Sequence, residues 1–317
     1  MKNTIASVGL YDADIEYSSC GVGFLTRKDG KQSHELLILG QEALCAVPHR
    51  GGMSSEGVGD GAGISIDLSE NFFSLLTKRK LKVGTFGVGN FFLPEDSSQH
   101  QNAISLVEEK LQNAGMSTFL LRDLPVDNTK ISERSVSKQL PIKQWIFAPS
   151  DSQFGQNLET RIHKILLEIE AVAYVDPALK GLYPLSISSR LQVLKGRLNS
   201  WEIIPYFSDL QSRDQKIHTL YFHTRFSTNT DPHPTMAQPF RLMAHNGELN
   251  TDKKNRLSEA AIASSKNSSI IRPRGQSDSC RFDQTLNARV FDEDLDLVDA
   301  VVSMMPPAWE NREDLNP

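Results

Sequence analysis

The chain has 317 residues, of which 39% are hydrophobic, and its formal net charge is -5. This length and apolar content suffice for one large domain or two ordinary ones with a sizeable core. Acidic and basic residues are mixed, and the absence of a sustained basic stripe argues against nucleic acid as a partner. No apolar run approaches the ~20 residues that span a bilayer, and the N-terminus lacks the long apolar region of a secretory signal. A membrane is therefore not an expected partner either.

Three cysteines, Cys20, Cys45 and Cys280, lie far apart in the chain. They show no C-x-x-C spacing, which argues against a zinc site or a redox pair. A small, odd number of cysteines in a long chain suits a reducing compartment. We therefore predict a cytoplasmic protein with no metal site.

Hydrophobic periodicity predicts the elements of the first half of the chain. In order, these are a strand over 20–26, a helix over 34–47 capped by Ser33, a strand through Ile64, Ile66 and Leu68, and a helix over 101–114 that stops at Gly115. Residues 123–157 are polar and weakly periodic, and we expect loops there. An amphipathic helix follows over 159–173.

The second half alternates strands with helices. Residues 185–194 and 218–226 alternate as strands do, and in the second run Tyr221, His223 and Arg225 would share the polar face. Helices are predicted over 278–290 and 294–305. Because no repeat or low-complexity linker interrupts the chain, we predict a single α+β domain.

A glycine-rich stretch precedes the strand through Ile64. Gly57, Gly59, Gly61 and Gly63 do not fit G-x-x-x-x-G-K-[ST], and they lead into a strand rather than a helix. A nucleotide site is therefore not indicated. A tight backbone turn beneath an active site explains the glycines better.

Cys20 begins the run CGVGF and admits two interpretations. It is either a buried thiol at the start of a strand or a nucleophile that becomes the first residue once residues 1–19 are removed. An α-amino group has a pKa near ~7.7–8.0, so an appreciable fraction is a free base at neutral pH. Such an amine beside its own thiol could take the thiol proton and return it to a leaving group.

Three further positions have both a structural and a functional interpretation. Arg225 needs a carboxylate or phosphate partner if it is buried, and an internal salt bridge would satisfy it equally. Asn246-Gly247 is either a hairpin turn or a pair of oxyanion donors, an amide side chain and a backbone N–H. Asp278 lies at a helix start, where capping alone could explain it, and it could also hold a substrate ammonium group.

The ordered motifs resemble the class II glutamine amidotransferases, which are N-terminal-nucleophile hydrolases, and more narrowly the amidotransferase domain of the glutamate synthase large subunit. The resemblance covers nearly all of the chain after residue 19 and is loosest in the middle. It rests on residues 20–24 (CGVGF), 49–51 (HRG), 59–64 (GDGAGI), 183–190 (YPLSISSR), 223–230 (HTRFSTNT), 237–241 (AQPFR) and 245–251 (HNGELNT).

This resemblance implies a four-layer αββα sandwich over residues 20–317, incomplete at its C-terminal end, and a pro-segment, residues 1–19, removed by self-cleavage. It implies that Cys20 attacks the side-chain amide of L-glutamine while Asn246 and Gly247 hold the oxyanion. Substrate recognition would then fall to Arg225 for the α-carboxylate, Asp278 for the α-ammonium, Thr228 for a polar contact and Arg50 near the nucleophile. Glutamate and ammonia would be the products.

Two departures concern gating rather than catalysis. Pro232-His233-Pro234 stands where the family usually has Pro-Ser-Trp, and Lys254-Asn255 stands where it usually has Gly-Asn. The family also implies a synthase part, in cis or in trans, that carries FMN and an iron–sulfur cluster and transfers ammonia to 2-oxoglutarate. None of that part is expected in this chain, which we interpret as a fragment or as the product of a gene coding only the ammonia-producing module.

Two alternatives remain open from the sequence. The chain could be a catalytically silent module that binds glutamine and regulates, which the altered loop favours. It could also be another N-terminal-nucleophile hydrolase acting on a different amide. Arg225 together with Asp278 argues against the second alternative, because the pair matches the two charges of a free amino acid.

Overall fold

Two antiparallel sheets and the helices around them form an αββα sandwich. The computed structural model describes residues 21–151, 153–154, 156–226, 233, 237–247, 252–265 and 277–305. The strands are β1 Val22–Thr26, β2 Ala62–Asp67, β3 Gly87–Phe92, β4 Met116–Asp123, β5 Ile142–Pro149, β6 Tyr183–Ser188, β7 Leu191–Gly196 and β8 Thr219–His223. The first sheet has the order β1-β8-β2-β7 and the second β4-β5-β3-β6, so the β6–β7 connection joins the sheets.

The helices flank both sheets. They are α1 Glu35–Ala46, α2 Glu70–Thr77, α3 His100–Asn113, α4 Glu133–Val136, α5 Gln156–Ala173, α6 Ile203–Tyr206, α7 Asp252–Ser265, α8 Asp278–Phe291 and α9 Leu297–Met304. None of the helices in the described residues is long and apolar enough to cross a bilayer.

Separate hydrophobic clusters hold the layers together. One joins α3 and α5 to the second sheet through Phe91, Trp145 and Phe147, which are fully buried. Another packs α1 and α6 with residues of both sheets, and Gly40 allows α1 to approach Leu220 of β8 closely. Burying side chains of this size stabilises the fold by about 1.5–3 kcal/mol each.

The predicted helices are confirmed within a few residues. The helix expected over 34–47 spans Glu35–Ala46, and Ser33 accepts a hydrogen bond from the Glu35 backbone N at 3.1 Å although His34 occupies the N-cap position. The helix expected over 101–114 ends at Asn113, and Gly115 follows with φ +70°. A positive φ favours glycine, which explains the stop there.

Three predictions about strands were wrong. Residues 123–157 are not all loop, because β5 lies within them, and its burial on both faces removes the alternation that a half-buried strand shows. The single strand expected over 185–194 is the β6–β7 hairpin. The strand expected over 218–226 ends at His223, so Arg225 lies beyond it and does not share a strand face with Tyr221.

Strand β1 lies at the outer edge of its sheet as the described residues define it, and it pairs only with β8, from Val22↔His223 to Thr26↔Thr219. Phe24 is 65% exposed and stacks on Tyr221 with 5.7 Å between ring centroids. The start of this edge strand faces the end of β8, where the sequence predicts the site.

Candidate functional site

The start of β1 is tied to the end of β8 by a threonine. The backbone N of Gly21 donates to Thr224 Oγ1 at 3.0 Å, and the Thr224 N donates to the Gly21 carbonyl at 2.8 Å. Thr224 Oγ1 in turn donates to the Arg50 carbonyl at 3.1 Å. An added Cβ at Gly21 would come within 2.8 Å of both Arg50 Cβ and Thr224 Oγ1. Gly21 therefore allows three chain segments to meet.

Two of the predicted site residues, Cys20 and Thr228, lie outside the described residues. Cys20 directly precedes Gly21 in the sequence, and Thr224 holds the backbone of Gly21.

Arg225 directly follows Thr224 in the chain, and an acidic partner orients its side chain. Its Nε donates to Asp60 Oδ2 at 3.2 Å, and both side chains are largely buried. A side chain on Gly52 would collide with the Asp60 carboxylate, so a glycine is needed beside this pair. The internal salt bridge, which the sequence left as one alternative for Arg225, is present. It fixes the guanidinium group through its Nε atom. Planar guanidinium groups commonly bind carboxylates through two parallel hydrogen bonds.

His223 connects Arg225 to the segment that carries Asn246. Its Nδ1 accepts a hydrogen bond from the Arg225 backbone N at 3.3 Å. Burial lowers the pKa of His223 to about 4, and the neighbouring His245 charge acts in the same direction. At neutral pH the ring is therefore uncharged, as an acceptor at Nδ1 requires.

The first sheet supports the segment before His245. Gly63 and Lys195 are paired across β2 and β7. Lys195 Nζ donates to the Ala237 carbonyl at 2.7 Å, and a Cβ on Gly63 would come within 2.7 Å of Pro239 Cδ. Lys195 is 1% exposed, and burial lowers its pKa to about 7. Gln238, which lies between Ala237 and Pro239, accepts a hydrogen bond at Oε1 from the His245 backbone N. The first sheet thereby also supports the backbone of His245.

Helix α8 holds the same segment from the other side. Asp283 Oδ1 accepts hydrogen bonds from the backbone N of Leu242 at 2.8 Å and of Met243 at 3.2 Å. At the helix start, His245 Nε2 lies 2.7 Å from Ser279 Oγ, and Ser279 N donates to Asp278 Oδ1 at 2.7 Å. Residues 237–247 contain no strand. These side-chain hydrogen bonds therefore help to hold the turn before Asn246.

Asn246 and Gly247 themselves are exposed. A Cβ built on Gly247 meets no atom of the described residues within 4 Å, so this part of the chain leaves space on that side of the backbone. The hairpin interpretation of Asn246-Gly247 is wrong, since no strand precedes the pair in the described residues. An amide side chain and a backbone N–H are the two donors that an oxyanion hole needs, and here they belong to two exposed residues.

The described site residues form two groups that meet at His223. Arg50 and Arg225 lie with Gly21 on one side, and Asn246, Gly247 and Asp278 lie around His245 on the other. Sequence reasoning missed the residues that hold them, namely Thr224, Lys195, Ser279 and Asp283. Lys195 carried a signal, because a lysine inside a strand buried on both faces requires partners. In the described residues no group of three or more His, Cys, Asp or Glu side chains could hold a metal ion.

Comparison of the sequence with those of known proteins identifies the family of this chain. Residues 20–317 match the family "Glutamine amidotransferases class-II". The chain is 32% identical over 327 aligned positions to "Glutamate synthase [NADH]" of Saccharomyces cerevisiae, covering 96% of this chain and 15% of that protein. It is 32% identical to "Glutamate synthase [NADPH] large chain" of Azospirillum brasilense, covering 79% of this chain and 17% of that protein.

A third relative is "Ferredoxin-dependent glutamate synthase" of Cyanidium caldarium, 34% identical over 78% of this chain and 16% of that protein. The fold is that of an N-terminal-nucleophile hydrolase sandwich, and the chain belongs to the class-II glutamine amidotransferases. Within that family it is similar to the amidotransferase region of glutamate synthases, and it spans about a sixth of the length of these relatives.

Proposed function

We propose that this chain is the glutaminase module of a glutamate synthase-like enzyme, hydrolysing L-glutamine to L-glutamate and ammonia. The observation that carries the proposal is the meeting of the two residue groups at His223. This ring accepts a hydrogen bond from the backbone of Arg225, the proposed carboxylate ligand, and neighbours His245, which precedes the proposed oxyanion donors.

The proposed substrate contacts follow from charge and placement. Arg225, held by Asp60, binds the α-carboxylate, and Asp278, at the first turn of α8, binds the α-ammonium group. Thr228 adds a polar contact, and Arg50 lies near the nucleophile through its neighbour Thr224. A free amino acid carries both charges, which supports glutamine over an amide without them.

In the proposed reaction the thiol of Cys20 attacks the side-chain amide carbon of glutamine. The α-amino group of Cys20 takes the thiol proton and returns it to the leaving ammonia. Asn246 and Gly247 stabilise the negative oxygen of the tetrahedral intermediate. Water then cleaves the γ-glutamyl thioester, releasing glutamate and restoring the thiol.

This chemistry requires a free amine at Cys20. While residues 1–19 are attached, that nitrogen is an amide and cannot act as a base. We therefore propose that residues 1–19 are a pro-segment and that the catalytic domain begins at Cys20, where the family match also starts.

The proposed partner is a synthase part, in cis or in trans, that would transfer the ammonia to 2-oxoglutarate. FMN and an iron–sulfur cluster belong to that part in the proposed assembly, and no step above depends on them. Glutamine is the proposed ligand of this chain, with no role for nucleic acid or a membrane. The proposed location is the cytoplasm, which the small number of cysteines favours.

Glutamate release from L-glutamine tests the proposal. We expect the unsubstituted chain to release glutamate and Cys20→Ala to release none above background, because the nucleophile is lost. Cys45→Ala is the matched control, since Cys45 is an exposed thiol outside the site. Intact mass should show a form that begins at Cys20.

Equal rates for the unsubstituted chain and Cys20→Ala would contradict the proposal. A chain that keeps Met1–Ser19 and binds glutamine without hydrolysing it would instead support the silent binding module. Calorimetric binding of L-glutamine to Cys20→Ala separates that outcome from a general loss of the site.

A further inference from the structure

A short hydrogen-bonded path joins the proposed ammonium ligand to the proposed oxyanion donors. Ser279 Oγ lies 2.7 Å from His245 Nε2 and donates to Asp278 Oδ1 at 3.3 Å. His245 is the residue immediately before Asn246. The path therefore contains only Asp278, Ser279 and His245, and both intervening side chains are outside the set that the resemblance assigns.

The direction of the bonds defines the state of the histidine. A carboxylate only accepts hydrogen bonds, so the Ser279 hydroxyl donates to Asp278 and accepts from His245. His245 Nε2 must then carry a proton. Burial lowers the pKa of His245, while the Asp278 charge and a hydrogen bond with the Gly247 backbone act in the opposite direction. The ring thus interacts with Ser279 on α8, and it belongs to the residue immediately before Asn246.

The rest of the turn is held independently of this path. Gln238 Oε1 fixes the His245 backbone N, and Asp283 fixes the backbone of Leu242 and Met243. The His245 side chain is therefore not needed to keep the turn folded up to residue 245. What the path can control is the orientation of the next two residues, Asn246 and Gly247, which are exposed.

We propose that Ser279 and His245 are positioning residues that couple recognition of the α-ammonium group at Asp278 to the placement of Asn246 and Gly247. This inference rests on the proposed glutaminase function. An ammonium group at Asp278 fixes the carboxylate, the carboxylate fixes the Ser279 hydroxyl, and the hydroxyl fixes the His245 ring. The α-amino group of glutamine then contributes to turnover in addition to affinity, because a misplacement of about 1 Å at the reacting centre costs about 10²-fold in rate.

A double-mutant cycle between Ser279 and Asp278 tests the coupling. We expect Ser279→Ala to lower kcat for L-glutamine about tenfold with KM changed less than threefold, because Asp278 still binds the ammonium. In the Asp278→Asn background, Ser279→Ala should cause no further loss of kcat, since the path is already broken. Ser279→Thr, which keeps the hydroxyl, should restore kcat to within about threefold of the unsubstituted chain.

Ser303→Ala is the matched control, because the Ser303 hydroxyl donates to the Ala300 carbonyl within α9, away from the path. Thermal unfolding of each variant confirms that it is folded. Equal losses of kcat from Ser279→Ala in both backgrounds, or a change in KM alone, would overturn the inference while leaving the glutaminase function in place. Absence of glutamate release from the unsubstituted chain would mean instead that the proposed function has failed.

Discussion

Gly247 has room for a side chain that the fold does not fill. Because a Cβ there meets no atom of the described residues within 4 Å, packing among them gives no reason for a glycine. We expect Gly247→Ala to change the free energy of unfolding by less than about 0.5 kcal/mol, as surface substitutions do. It should lower kcat by about 10- to 100-fold, because the methyl group would occupy the space from which the substrate approaches.

Urea unfolding and glutamate release measure these two quantities for Gly247→Ala. Gly84→Ala is the control, since its Cβ also meets open space and the residue lies in a distant turn. Its positive φ of 82° predicts a stability loss without a loss of activity. Unchanged turnover in Gly247→Ala would remove Gly247 from the site.

At Thr224, a substitution can remove the hydroxyl group while keeping the shape of the side chain. Thr224→Val keeps the shape but loses the bonds that Oγ1 makes with Gly21 N and the Arg50 carbonyl. We expect kcat to fall by about 10- to 100-fold, because Gly21 is the chain neighbour of the proposed nucleophile Cys20 and a small misplacement at a reacting centre is costly. Thr224→Ser should stay within about threefold, as it keeps both bonds. Steady-state glutaminase kinetics compare the two, and equal rates would show that this anchor is not needed.

His223 predicts a pH dependence of stability. Its pKa is about 4 in the folded chain and 6.5 in an ordinary environment, so the unfolded state binds more protons between these values. The free energy of unfolding should therefore rise as pH increases from 4 to 6.5, by up to about 3 kcal/mol from this residue, and level off above. Below that window, protonation at Nδ1 would oppose the Arg225 N–H.

Urea unfolding at several pH values, with His223→Gln beside the unsubstituted chain, isolates this contribution. The variant keeps an acceptor of similar reach but does not titrate, so its stability should fall less between pH 6.5 and 4. Parallel curves would contradict the assignment, because the other histidines titrate in both proteins.

At the scale of elements, the segment 237–247 is positioned by its neighbours rather than by its own regular structure. In the first sheet, Gly63 leaves room for Pro239, and its partner Lys195 donates a hydrogen bond to the Ala237 carbonyl. From α8, the Asp283 carboxylate accepts hydrogen bonds from the backbone of the segment. We expect Gly63→Ala to lower the free energy of unfolding by about 1–3 kcal/mol, because the added methyl overpacks against Pro239. Turnover should fall as well, since Gln238 would move with Pro239.

Ser65→Ala, two residues along β2, is the control for Gly63→Ala and removes atoms rather than adding them. Urea unfolding and kcat are the measurements. Stability loss without any change in kcat would show that the sheet does not position Asn246 and Gly247 for the proposed reaction.

The elements show where periodicity suffices and where it fails. The helices α3 and α5 could be predicted because one face is apolar and Gly115 stops the first of them. β5 could not, since both of its faces are buried and Lys143 and Gln144 interrupt its apolar run. The motif residues of the site could be located by resemblance. The backbone groups that Lys195 and Asp283 contact could not be predicted, because a lone charge in a sequence does not show which groups it meets.

At the scale of the whole molecule, a buried ion pair connects α5, which packs on the second sheet, to the segment 237–247. Arg241 Nη2 donates to Glu170 Oε1 at 2.6 Å, and the Glu170 side chain is only 4% exposed. The Glu170 charge raises the pKa of Arg241 against the opposing effect of burial. The ion pair thus joins the helix that packs on the second sheet to the segment that leads to Asn246.

Removing one partner of this pair leaves a buried charge uncompensated. We expect Arg241→Met to lower the free energy of unfolding by about 3–5 kcal/mol. The double variant Glu170→Gln with Arg241→Met should lose less stability than the sum of the losses of the two single variants, because the substituted amide carries no charge. Urea unfolding of the four proteins gives the coupling. Strict additivity would show that the two groups do not interact in solution.

The edge position of β1 has a consequence for how solutions of this protein behave. An edge strand with exposed Val22 and Phe24 is a template for pairing with a second molecule. Such pairing would occupy the strand that leads out of Cys20, and it would grow with protein concentration. Specific activity that falls as the sample is concentrated, and returns on dilution, would then report self-association of this edge rather than damage to the thiol.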